Sequence, residues 1–160
     1  MTGLYLAALL IGIVAGLRAM TPLAVLSWAA FAKCLLVEGT WASFLASLIV
    51  AIVATVLAVA EIVNDKLPKT PSRKAPPAFA ARVVLGGFYG AVFGTLADGT
   101  SPGLIIGLLL GAAGAVIGTL GGAWARGKLA DAFGKDLPAA LTEDAITVAA
   151  ALAITFTLAG

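Results

Sequence analysis

The chain has 160 residues, of which 61% are hydrophobic and only 11% charged, with a formal net charge of +2. Soluble domains carry about a quarter charged residues, so this balance, with a mean hydropathy of +1.09, excludes a water-soluble fold and points to one all-α integral membrane domain. The single cysteine, Cys34, excludes an intrachain disulfide, and the absence of histidine removes the commonest metal ligand and acid–base group.

A spanning helix needs about 20 mainly apolar residues. Five stretches meet this: 3–20, 41–63, 80–97, 102–124 and 140–159. The first, within MTGLYLAALLIGIVAGLRAM, has no basic flank or cleavage site of a secretory signal and reads as a retained helix. Residues 22–37 are apolar but short, and they carry Lys33; they either span or re-enter. Between the two halves, 1–63 and 83–160, lies a polar loop over 64–82. It holds Lys66, Lys69, Arg73, Lys74 and Arg82 against Asp65, so by the positive-inside rule it is cytoplasmic and the protein sits in the inner membrane. Pro68, Pro71, Pro76 and Pro77 are expected to keep it extended.

Five spans place the N-terminus and 127–141 inside and Arg18 toward the outer side; a sixth span over 22–37 would put the N-terminus outside. Five spans with a re-entrant or interfacial segment are the preferred arrangement. In KLADAFGKDL (128–137), Leu129, Phe133 and Leu137 form an apolar stripe, a pattern for an interfacial helix. Thr142 is the expected N-cap of the last helix, with Glu143 and Asp144 at its positive end.

IGIVAGLRAMTPLA (11–24) aligns without a gap on IGTLGGAWARGKLA (117–130). In the five-span arrangement these run in opposite senses, as an inverted repeat does, although a glycine- and alanine-rich alphabet also aligns by chance. Glycines recur four apart at 12/16, 86/90/94, 103/107/111 and 114/118/122, the spacing of close helix packing or a homo-oligomer seam. The pairs 86–87 and 121–122 are alternatively sites of local unwinding.

Charges at membrane depth are functional candidates. Arg18, before Thr21-Pro22, and its repeat counterpart Arg126 read either as an anion site or as snorkelling side chains. Glu61, Arg82, Glu143 and Asp144, with Arg126, are expected to form one cytoplasmic-side cluster, a structural clamp more readily than a proton relay. Asp98 and Thr100 form ordinary turn chemistry. No nucleophile–base pair, metal-ligand cluster or phosphate loop is legible, so no catalytic residue, metal or cofactor is assigned.

GLRAMTPLAVLSW, EIVNDKLPKTPSR and LTEDAI together resemble the DUF4126 family of small bacterial membrane proteins over nearly the whole chain. The resemblance implies a small membrane protein and no activity. The NDKLPKTP string is more particular than a topogenic loop requires, so Asn64, Asp65, Lys66 and Lys69 are expected to fold back onto the bundle as a polar site. The leading expectation is a transporter or lipid-headgroup translocator for an anionic or phosphate-bearing substrate. Arg18, Arg126, Asn64, Asp65, Lys66 and Lys69 would bind it, in a homo-oligomer (dimer or trimer) within the bilayer, with no nucleic-acid partner. The alternatives are a non-transporting scaffold that binds a partner membrane protein, and a membrane enzyme acting on lipid phosphates through Asp65 and Lys66.

Overall fold

A computed structural model describes residues 2–67 and 74–158; Lys69, Arg73, Pro68 and Pro71 lie outside the described residues. Helix α1 covers Thr2–Leu17, α2 Thr21–Phe31, α3 Leu48–Asn64, α4 Pro76–Asp98, α5 Ser101–Phe133 and α6 Asp136–Leu158. A 3-10 turn over Ser43–Ala46 precedes α3, and no strand occurs among the described residues. By length and composition α4, α5 and α6 can each cross a membrane, whereas α1, α2 and α3 are shorter apolar helices.

Local chemistry sets the boundaries. Prolines occupy the first turns of α2, α4 and α5, where a missing N–H breaks no helical bond. Pro76 and Pro77 therefore open α4 instead of extending the loop. Gly99 and Gly134 close α4 and α5 in the left-handed conformation (φ 67° and 68°) that glycine adopts without strain. The Thr100 hydroxyl caps α5 by accepting from the Gly103 N–H at 3.2 Å.

Several expected boundaries shift. Residues 128–133 continue α5, so no separate interfacial helix covers 128–137, because nothing breaks the chain before Gly134. Helix α6 starts at Asp136, not near 140, and Thr142 lies inside it, its hydroxyl donating to the Pro138 carbonyl at 2.8 Å. Helix α2 stops at Phe31, and Lys33 behind it takes a positive φ of 59°. The helices run unbroken through Gly86-Gly87 and Gly121-Gly122.

Helices α1, α4 and α5 form the core. Gly94 lies against Gly103, Gly90 against Gly107 and Gly86 against Gly111, so α4 and α5 are antiparallel. Gly12 lies against Gly111, and Gly16 against Ala115 and Thr119, so α1 and α5 run the same way. Segments 11–24 and 117–130 are therefore not inverted with respect to each other. Small residues permit these approaches: a Cβ on Gly16 would lie 2.5 Å from the Thr119 amide nitrogen. Tyr89 and Phe93, both fully buried, fill the space beside α1 with Ala7, Ala8 and Ile11.

The bundle has two unlike ends. At one, the Tyr5 hydroxyl donates to Asp98 Oδ2 at 3.0 Å, joining the start of α1 to the end of α4. At the other, the end of α1 meets the end of α3 and the start of α4 through Glu61 and Arg82. The segment after α2 climbs back toward the Asp98 end, where Trp41 Nε1 donates to Thr95 Oγ1 at 2.8 Å and Trp41 stacks edge-on against Phe88. Thr2 thus lies at the end opposite Asn64, where α3 stops, and Pro76, where α4 starts. The five-span arrangement had put all three on one side; α2 and the stretch behind it supply the additional return.

Candidate functional site

A helix end leaves backbone groups without intrahelical partners, and in hydrocarbon only protein atoms can satisfy them. The break between α1 and α2, Arg18-Ala19-Met20, is satisfied by side chains from two other helices. Arg82 Nη1 donates to the carbonyls of Gly16 (3.1 Å) and Leu17 (2.8 Å). The Glu61 carboxylate accepts from the N–H groups of Ala19 (2.9 Å) and Met20 (2.8 Å), and Arg82 Nη2 closes the ring on Glu61 at 3.3 Å. The hydroxyl of buried Tyr89 donates to the Ala19 carbonyl at 2.7 Å.

Arg18 is 0% exposed. Its Nε donates to Asp144 Oδ1 at 2.8 Å, and its Nη2 lies 2.6 Å from the same oxygen and 2.9 Å from Asp65 Oδ2. Its Nη1 is buried with no hydrogen-bond partner among the described residues. Lys66 Nζ meets the other Asp144 oxygen at 2.5 Å and donates to the Ile62 carbonyl at 3.1 Å.

Arg126 Nη1 also binds Asp65 Oδ2, the oxygen that Arg18 Nη2 touches. Its Nε and Nη2 hold Asp136 at 3.0 and 2.7 Å, and Glu143 lies 3.6 Å away. Two guanidinium groups from distant parts of the chain thus converge on one oxygen. Burial alone would raise the Asp65 pKa, but the bonds from Arg18 and Arg126 outweigh it and hold the carboxyl down at about 2.

Of the residues singled out in the sequence, Arg18, Asp65, Lys66, Arg126, Glu143 and Asp144 meet in one network. Glu61 and Arg82 form the adjoining ring around the helix break. Asn64 ends α3 and borders a shallow hollow with Ala19, Met20 and Glu61. Lys69 lies outside the described residues. Arg18 is at the same end as Arg126, not the opposite one, because α1 and α5 are parallel. Glu143 and Asp144 sit on the second and third turns of α6, where they reach the bundle interior; Asp136 holds the first turn instead. Two residues of the site carry no mark in the sequence: Tyr89, an aromatic in an apolar stretch, and Asp136, a polar residue within the amphipathic stretch 128–137. Ten residues separate Asp136 from Arg126 across the Gly134 turn, and recognising that turn as a helix reversal was the available signal.

Chemically, the site is a buried, charge-paired junction. Among the described residues no group of three His, Cys, Asp or Glu side chains is placed to hold a metal ion. No family model, curated protein or solved structure matches the chain.

Proposed function

We propose that this chain is a multi-pass inner-membrane protein that binds a phosphate-bearing anion, in the bilayer a lipid headgroup, at the Arg18–Arg126 junction and carries it across. The observation that supports this reading is the convergence of Arg18 and Arg126 on Asp65 Oδ2. A point between two guanidinium groups suits a phosphate oxygen, since arginine forks match that geometry and charge. Asp65 then stands in for the substrate and holds the empty carrier closed. An incoming anion displaces it, while Asp144, Asp136 and Glu143 keep the arginines oriented.

Depth agrees with a headgroup site. Gly16, two residues before Arg18, lies against Thr119, which is roughly 27 Å along α5 from Ser101 at 1.5 Å per residue, close to the ~30 Å thickness of a hydrocarbon core. With the 64–82 loop cytoplasmic, the junction faces the inner headgroups. The glycine contacts of α1, α4 and α5 form its rigid wall. That interpretation stays within the resemblance to DUF4126 membrane proteins, which supplies no activity of its own.

Reconstituted vesicles test it in two arms: dithionite bleaching of fluorescent anionic and neutral phospholipids, and uptake of radiolabelled inorganic phosphate. The expected result is faster movement of the anionic lipid or of phosphate, lost in Arg126→Gln. Equal rates with and without protein in both arms would overturn the proposal in favour of a scaffold.

A further inference from the structure

On the flank of the bundle, α3 and α6 each pack on α2 but scarcely touch one another. The gap is a cavity of about 380 Å³. Its floor is the Thr21–Trp28 face of α2, and its walls are Thr55 to Ile62 of α3 and Val148 to Phe156 of α6. It opens sideways, with Trp28 42% and Phe156 48% exposed. Seven residues of α2 or α3 make it roughly 10 Å long, about two-thirds of one leaflet of a ~30 Å core.

Three observations mark what it takes. Its lining is almost wholly apolar and faces outward, toward acyl chains once the protein is in a bilayer. Thr21, at its charged end, is 4% exposed, and its hydroxyl has no hydrogen-bond partner among the described residues. Directly above, Lys66 Nζ rests on the carbonyl of Ile62, itself a wall residue, and pairs with Asp144 Oδ2 at 2.5 Å, so an ammonium group anchored by one carboxylate sits at the mouth. An apolar slot, an unsatisfied hydroxyl one step up and a cation at the rim follow the order of groups along a phospholipid: acyl chain, ester carbonyl, phosphate.

We infer that the α2–α3–α6 groove holds one acyl chain of an anionic phospholipid, with the Thr21 hydroxyl donating to its ester carbonyl and Lys66 facing its phosphate. This groove adjoins the Arg18–Arg126 junction, with which it shares Lys66 through Asp144, but it uses neither arginine and requires only that the chain lie in a bilayer. The Trp28 indole sits in the groove, its Nε1 donating to Thr55 Oγ1 at 2.9 Å, and serves as the reporter.

The test is fluorescence quenching of the intact chain in phosphatidylcholine vesicles doped with dibrominated phosphatidylglycerol or dibrominated phosphatidylcholine. Subtracting the signal of Trp28→Phe isolates Trp28. Quenching of Trp28 should require about fivefold less of the anionic lipid, the preference one lysine at a membrane surface confers. Lys66→Gln should remove the preference while keeping the quenching. Ala58→Phe, which fills the groove, should reduce quenching by both lipids. Equal quenching by the two lipids in wild type, or cysteine cross-links showing a second copy over the groove, would overturn the inference. Preferential quenching without lipid movement would sink the carrier proposal and leave the groove; movement without preferential quenching would do the reverse.

Discussion

Replacing Arg18 with methionine keeps most of the side-chain volume and removes the charge. Asp144 then loses the contacts at 2.6 and 2.8 Å from Arg18, while Asp65 keeps Arg126. Breaking one side of a buried ion pair costs about 3–5 kcal/mol, because the partner charge stays buried and uncompensated. Lys66 still faces Asp144 and trims the loss, so about 3 kcal/mol is the expected value for Arg18→Met. For a chain of this size 1 kcal/mol moves Tm by roughly 2–4 °C, giving a fall of about 6–12 °C in detergent, followed by helical circular dichroism. Adding Asp144→Leu removes the orphaned carboxylate, and Lys66, partly exposed, can turn to water; the double variant should recover more than half of the loss. A Tm for Arg18→Met within about 2 °C of wild type would show that the guanidinium is not buried against Asp144, and the network as described would be wrong.

Gly16→Val should destabilise by about 2 kcal/mol or more, because the added carbon meets the α5 backbone. Gly121→Ala has open space around its Cβ position and should raise Tm slightly through helix propensity; scanning both variants by thermal unfolding separates packing from composition. Tyr89→Phe leaves the Ala19 carbonyl unpaired and should cost about 1–2 kcal/mol by the same measurement. Acid should expose Asp65. Its folded pKa, about 2, lies below the unfolded value of 3.8, so its contribution, about 2 kcal/mol, is present above pH ~4 and is lost as pH falls through about 2. In Asp65→Asn that part of the acid dependence should vanish from a Tm series across pH 2–5.

Composition made the all-helical, membrane-type fold legible, because burying so many Leu, Ala, Val and Ile residues in water is not possible at this length. The charged residues of the junction were also legible individually, since Arg18, Glu61 and Asp144 interrupt apolar stretches. What the sequence could not convey was direction. A stretch of 11 residues such as α2 is too short to count as a crossing, yet with the segment behind it the chain still returns to the far end. That return reverses α1 relative to the five-span arrangement, brings Arg18 beside Arg126, and dissolves the inverted repeat. Single residues moved boundaries for local reasons: proline, read as a loop former in 64–82, is equally suited to the first turn of α4, and Gly134 sets the α5–α6 turn later than the amphipathic pattern of 128–137 implied.

Isothermal titration of glycerol 3-phosphate into detergent-solubilised wild type and Asp65→Asn tests the central claim, that Asp65 occupies an anion site formed by Arg18 and Arg126. Removing the internal competitor while leaving both arginines held by Asp144, Asp136 and Glu143 should tighten binding about tenfold. Equal affinity in the two proteins, or no binding by Asp65→Asn, would contradict it.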